Sequence, residues 1–402
     1  MSSLNNTPLG ERLHIAFFGV RNAGKSSLLN AFTNQNLAIV SDQKGTTTDP
    51  VYKNMELLPL GPVVVIDTPG IDDVGELGSL RVAKTKQVLN KTDIAIIVAQ
   101  AGKQLGSFEK EIITNAKNRN IPYIVAYNKC DLIDEVPGGN DESVYVSAKT
   151  GFGINALKEK CALLIKQNDD KKRVVGDLLE VGDFVLLVAP IDKSAPKGRL
   201  ILPQQQTIRD VIDSGATAIV CRDSELEQTL KTLGKKPKLV VTDSQVFGKV
   251  AKIVPKDVAL TSFSILMARY KGDLAIVAKG AAAVDKLQKG DKVLISEGCT
   301  HHRQCEDIGT VKLPKWIKDR VGCEIEFCFT SGTEFPDNLN DYKLVVHCGG
   351  CMLNEKEMKY RLRCCQDAGV PVTNYGTLIA YINGILKRAI TPFDEVADIF
   401  EE

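Results

Sequence analysis

The stretch Gly19-Val20-Arg21-Asn22-Ala23-Gly24-Lys25-Ser26 decides how the first part of this chain is built. It follows an apolar run, His14–Val20, that reads as a buried strand, and it opens a helical stretch, Lys25–Phe32. A G-x-x-x-x-G-K-S sequence between strand and helix is a phosphate-binding loop. Its glycines let the backbone N–H groups from Asn22 through Ala23, Gly24, Lys25, Ser26 and Ser27 wrap phosphates at the positive end of the helix. Lys25 is expected to reach the β- and γ-phosphates, and the Ser26 hydroxyl to coordinate magnesium.

Working outward, further apolar runs at Val63–Asp67, Asp93–Ala99, Tyr123–Asn128 and Ser143–Ser147 read as buried strands. Helical patterns at Ser79–Leu89, Ser107–Lys117 and Ile154–Lys166 separate them. This alternation predicts an α/β domain over residues 1–170 with a mostly parallel sheet covered on both faces. Three more elements arrive in the order a nucleotide site needs. Asp67-Thr68-Pro69-Gly70 ends one strand: Asp67 is expected to hold magnesium through water, and the Gly70 N–H to sense the γ-phosphate. Asn128-Lys129-Cys130-Asp131 ends another; the Asp131 carboxylate can accept from N1 and N2 of guanine, which adenine cannot match. Ser147-Ala148-Lys149 closes the base pocket. The set predicts GTP and GDP as ligands, and hydrolysis of GTP with Lys25, Thr47, Asp67 and Gly70 at the reacting phosphate.

Asn22-Ala-Gly-Lys-Ser-Ser-Leu-Leu-Asn30 and Gly45-Thr46-Thr47-Thr48-Asp49 resemble the translation-factor-related GTPases of the TrmE–Era-like group. The resemblance implies that Thr46 or Thr47, with Thr47 the expected one, is the switch magnesium ligand. Ile71 stands where Ras-like proteins place a water-orienting Gln, so the intrinsic rate should be low; Glu76 is a candidate for orienting the water instead. The group's potassium-dependent members carry an Asn at the position of Asn22. A potassium ion held there would supply positive charge between the phosphates, as an arginine finger does.

The 402 residues are too many for one ordinary core. The polar run Gln167–Arg173 reads as a linker. Beyond it, strands at Asp183–Ala189, Ala216–Cys221 and Lys238–Thr242 alternate with helices at Gln205–Asp213, Ser224–Leu233 and Ser244–Ile253. They predict a smaller open α/β sheet, a dimerisation domain over residues 175–262. A third open α/β sheet is expected over residues 263–402. Its strands are Lys292–Ser296, Glu324–Thr330, Lys343–His347 and Pro371–Asn374; its helices are Phe263–Tyr270, Ala281–Gln288, Lys315–Arg320, Glu355–Ala368 and Thr377–Arg388.

A net charge of +1 and the lack of a basic, aromatic-interleaved patch argue against nucleic acid as a partner. The polar start, Met1–Arg12, is no signal peptide, and no apolar run nears the ~20 residues that cross a bilayer, so a cytoplasmic protein without membrane contact is expected. In that compartment eleven cysteines point to metal or redox chemistry before disulfides. Only Cys130, Cys161 and Cys221 precede residue 298; the other eight follow, with His301, His302 and His347 among them. Cys299-Thr300-His301 and His347-Cys348-Gly349-Gly350-Cys351 each follow a predicted strand, and open parallel sheets gather ligands at the carboxyl ends of strands. Cys299, Cys348 and Cys351 with one histidine suit a closed zinc site; three thiolates with a replaceable fourth ligand suit a 4Fe–4S cluster. Cys323, Cys328, Cys364 and Cys365 sit in or beside predicted strands and helices and read as packing residues.

Taken together, a GTPase domain of this type, a motif-poor middle and a terminal C-x-H…H-C-x-x-C domain resemble the HydF family, the iron-only (FeFe) hydrogenase maturation GTPases. The resemblance spans essentially the whole chain. It implies a 4Fe–4S cluster on Cys299, Cys348 and Cys351, with His301 or His347 as fourth ligand or as support behind the ligands. It also implies a di-iron subcluster as cargo, apo FeFe-hydrogenase as its recipient, the radical-SAM maturases of the pathway as partners, and a homodimer. The competing reading is an RNA- or ribosome-assembly GTPase with a structural zinc site. From Asn22, hydrolysis should run several-fold faster in potassium than in sodium buffer; equal steady-state rates would remove the potassium site.

Overall fold

A computed structural model describes residues 7, 9–34, 50–70, 85, 87–166, 172–190, 200–298, 307–332, 334–336 and 338–400. Thr46, Thr47, Ile71, Glu76, Cys299, His301, His302 and Cys305 lie outside the described residues, as do residues 79–84 and 86 of the helix expected at 79–89. The chain divides into two compact units, Met1–Asp170 and Lys171–Glu402.

In the first unit the strands are β1 (Leu13–Phe18), β2 (Val51–Leu57), β3 (Gly61–Asp67), β4 (Ile94–Gln100), β5 (Tyr123–Asn128) and β6 (Ser143–Tyr145). They form one sheet in the order β2-β3-β1-β4-β5-β6, parallel except for β2 against β3. Successive residues of β1 point to opposite faces: Ile15 and Phe17 enter one core with Leu28 and Phe32 of the helix Lys25–Thr33. Ala16 and Phe18 enter the other, with Phe108 and Ile112 of the helix Ser107–Asn118. Both faces being dry, the interior strands read as continuous apolar runs. The strand β2 does not announce itself in that way. It is an edge strand whose Tyr52, Lys53, Asn54 and Glu56 are exposed, so its polar pattern hides it.

The second unit holds two four-stranded, all-parallel sheets. One has the order β10-β9-β7-β8, from β7 (Phe184–Val188), β8 (Thr217–Cys221), β9 (Leu239–Thr242) and β10 (Ala259–Ser262). The other has the order β12-β11-β13-β14, from β11 (Lys292–Glu297), β12 (Glu326–Ser331), β13 (Leu344–His347) and β14 (Val372–Asn374). These sheets are not insulated from each other. Val240 and Leu260 of the first and Val345 and Val372 of the second belong to one apolar cluster, which Ile265, Leu266, Val277 and Ala278 join. Those last four come from two consecutive helices, Phe263–Lys271 and Leu274–Ala281, started by Ser262 and Asp273, whose side chains accept from the N–H of Ile265 and Ile276. The far face of the second sheet packs Val293, Ile295, Leu344 and Val346 against Leu313, Ile317 and Leu378.

Two helices differ from the periodicity reading. The expected helix at 281–288 lies earlier, at Leu274–Ala281, with a 3-10 turn over Ala282–Lys286, because the Asp273 cap sets its start. The expected helix at 377–388 is two, Tyr375–Ile382 and Leu386–Ile390, broken where Gly384 takes φ +69°. Among the described residues no helix is long and apolar enough to cross a membrane.

Among the described glycines of the second unit, Gly280 leaves the least room for a side chain: a Cβ there would stand 1.9 Å from the Val372 carbonyl oxygen of β14. Backbone cannot yield there as a side chain would. Gly280→Ala should therefore destabilise the chain by about 3 kcal/mol, read as a lower urea midpoint; an unchanged midpoint would refute this packing.

Candidate functional site

The carboxyl ends of β1, β3 and β5 carry the phosphate loop, the Asp67 loop and the Asn128 loop. Parallel pairing sets Phe17 beside Asp67, which brings the first two together. Lys25 is 8% exposed, and its Nζ lies 2.5 Å from Asp67 Oδ1, while the Ser26 hydroxyl donates to Asp67 Oδ2 at 3.2 Å. A buried ammonium, a hydroxyl and a carboxylate thus converge where the first helix begins, the arrangement that a magnesium–phosphate group requires. The loop is shaped by left-handed backbone at Asn22 (φ +63°) and Gly24 (φ +82°). Thr68 holds the neighbouring loop down by donating from Oγ1 to the Phe17 carbonyl at 2.6 Å.

Asn128 ties the base side of the site to the phosphate side. Its Nδ2 donates to the Ala23 and Gly24 carbonyls at 3.1 and 3.3 Å, and its Oδ1 accepts from the Ala148 N–H at 3.1 Å. Lys129 Nζ donates to the Asn22 carbonyl at 2.7 Å. The Ser147 hydroxyl donates to Asp131 Oδ1 at 2.6 Å and holds that carboxyl below its ordinary range. Asp131 is therefore ionised at neutral pH, with oxygens that accept, as N1 and N2 of guanine require. Gly70 lies against Arg21 of the phosphate loop, its missing Cβ 3.4 Å from the Arg21 Cα.

A second cluster sits at the carboxyl ends of β11 and β13, whose pairing sets Ser296 beside His347. The Cys348 N–H continues the ladder to the Ser296 carbonyl at 2.9 Å. The Cys348 Sγ accepts from the N–H groups of Gly298 at 3.0 Å and Gly350 at 3.4 Å. Gly350 turns the loop at φ +62°, where a Cβ would meet Met358 Sδ at 2.6 Å, and Cys351 follows. Burial pushes the Cys351 thiol up, Cys348 beside it adds to that, and the Lys271 ammonium pulls it back. Among the described residues no group of three His, Cys, Asp or Glu side chains is gathered as a metal site. Cys299 and His301 are outside that description, but the residue before Cys299 already donates to the Cys348 sulfur. Sulfurs that accept from backbone N–H groups are the donors an iron–sulfur cluster uses, so the described part of the site fits one.

His347 is 2% exposed and engaged at both ring nitrogens. Nδ1 donates to the Cys348 carbonyl at 2.9 Å, and Nε2 accepts from Arg361 Nη1 at 3.0 Å, since a carbonyl only accepts and a guanidinium only donates. Arg361, 1% exposed, also donates to Glu357 Oε1 at 2.9 Å, the Ser296 hydroxyl at 3.2 Å and the Gly332 carbonyl at 2.9 Å. Sequence reasoning missed Arg361, Glu357 and Lys271. A Glu-x-x-x-Arg pair on the helix after the C-x-x-C loop was a signal for the first two; nothing marks Lys271.

Two models of hydrogen maturase F match the second unit, the dimerization domain at residues 174–272 and the tetramerization domain at residues 275–392. The model of the 50S ribosome-binding GTPases matches residues 14–129. The tRNA modification GTPase MnmE of Thiobacillus denitrificans is 32% identical over 38% of this chain and 34% of its own length, and GTPase Der of Mycoplasmopsis agalactiae is 33% identical over 39% and 40%. The chain thus spans 34% and 40% of the length of these curated relatives. Among solved structures, Aquifex aeolicus Era bound to GDP and aluminium fluoride is similar at 27% identity over 38% of this chain and 55% of that one, with a TM-score of 0.33. The first unit is a GTPase domain of P-loop fold.

Because Asn128 ties the phosphate loop to the base-side loops from both ends of its amide, Asn128→Ala should weaken GTP binding at least tenfold, about 1.4 kcal/mol, by calorimetric titration. Wild-type affinity would show that the loops hold their places without it.

Proposed function

The chain belongs to the hydrogen maturase F family, and from that premise we propose a working division between its two units. It is a hydrogenase maturation GTPase. Its second unit binds a 4Fe–4S cluster through Cys299, Cys348 and Cys351 and carries a di-iron subcluster to apo FeFe-hydrogenase. The observation that supports this most is the Cys348 sulfur accepting from Gly298 and Gly350, which joins the two motif segments at one thiol. When bound, the cluster supplies an iron with a replaceable ligand, which suits taking up and releasing cargo. His347, with both ring nitrogens engaged, supports the loop, and of the two candidate histidines we assign the fourth position to His301.

In the first unit Lys25, Ser26, Thr47 and Asp67 hold the phosphates and magnesium, the Gly70 N–H reads the γ-phosphate, and Asn22 holds potassium. Asn128, Lys129, Asp131, Ser147, Ala148 and Lys149 hold the guanine. Ordering of segments 42–49 and 70–78 by the γ-phosphate then sets partner contacts, so hydrolysis times delivery and does not build the cargo. The radical-SAM maturases are the partners that load it, and residues 174–272 join two chains in a cytoplasmic homodimer.

Anaerobically reconstituted full-length chain should be brown and carry iron and sulfide, whereas a zinc-bound assembly GTPase would be colourless. Cys348→Ser or Cys351→Ser should abolish the iron-bound absorption and the paramagnetic signal of the reduced protein. A full cluster retained in either variant would refute the assignment.

A further inference from the structure

Behind the His347–Leu353 loop lies a lysine that no motif calls for. Lys271 ends the helix Phe263–Lys271 and is 2% exposed. Its ammonium donates to the Cys351 carbonyl at 3.1 Å and the Leu353 carbonyl at 3.0 Å. Burying an ammonium costs several kcal/mol unless its surroundings compensate, so packing alone does not account for it; a methionine fills the same length without that cost.

The helix that carries Lys271 is itself held in place at its start. At its start the Ser264 hydroxyl accepts from the Gly376 N–H at 3.2 Å, and the Ser264 carbonyl accepts from Asn374 Nδ2 at 3.0 Å. A Cβ placed on Gly349, the first glycine between the two cysteines, would stand 3.6 Å from Ser264 Oγ. A helix from the stretch matched by the dimerization domain thus lies along a loop from the stretch matched by the tetramerization domain.

We propose that Lys271 is a positioning residue and fixed counter-charge of the cysteine loop, and that its charge raises the reduction potential of the iron–sulfur cluster bound there. The inference rests on the cluster assignment above. Reduction adds one electron from an external donor to the cluster and breaks no bond. The added negative charge is stabilised by a buried cation far more than by one in water.

The test uses the full-length chain, anaerobically reconstituted with ferrous iron and sulfide and titrated with dithionite under paramagnetic resonance. Lys271→Met should lower the midpoint potential by at least the equivalent of a tenfold change in the reduction equilibrium, about 59 mV for one electron. Lys271→Arg should restore it, and Lys359→Met, which removes a surface charge from the neighbouring helix, should leave it unchanged. Loss of the cluster in Lys271→Met with retention in Lys271→Arg supports the same role. A fully loaded Lys271→Met chain with wild-type potential overturns the proposal, as does loss of the cluster in both variants. A wild-type chain that takes up no iron overturns the cluster assignment itself, and the inference with it.

Discussion

In a parallel sheet every strand ends at the same edge, so the loops that leave those ends are gathered however far apart they lie in sequence. Both sites of this chain depend on that constraint. The pairing of β1 with β3 sets Phe17 beside Asp67, and from there Lys25 and Ser26 meet the carboxylate. The pairing of β11 with β13 sets Ser296 beside His347, and the Gly298 N–H reaches the sulfur of Cys348, fifty residues on. Without the register neither set of side chains would meet, whatever their identity.

What is gathered at each edge is then fixed by polar groups with few alternatives. Asn128 uses both ends of its amide, one to bind the phosphate loop and the other to bind the Ala148 N–H. On the second unit, Arg361 spends its donors on Glu357, Ser296, His347 and Gly332, and so fixes which nitrogen of His347 carries the proton. Buried networks of this kind hold one geometry because any change leaves a charged or polar group unpaired at a cost of about 1–3 kcal/mol.

The shared core of the second unit gives its two sheets a common mechanical fate. Ile265 and Val277 pack among residues of both, and Gly280 brings the second of the two linking helices against the backbone of β14. The stretch matched by the dimerization domain reaches the cysteine loop directly, through the helix that ends at Lys271.

The sequence by itself determined the P-loop, the guanine-reading loop and the paired cysteine motifs, because each is a short run of residues whose chemistry is legible locally. It also determined the interior strands, which are apolar throughout since both faces are covered. The strand β2 escaped notice because an edge strand bears polar side chains, and the helix at Leu274–Ala281 was misplaced because its start is set by a cap and not by hydrophobic period. Only the tertiary structure decided that His347 faces a guanidinium, that Arg361 and Glu357 pair beneath the loop, and that Lys271 reaches the Cys351 and Leu353 carbonyls. The contacts of His347 with Arg361 and of Lys271 with the loop join residues 14 to 82 positions apart, and a lysine or arginine at the end or middle of a helix looks the same in sequence whether it faces water or a buried carbonyl.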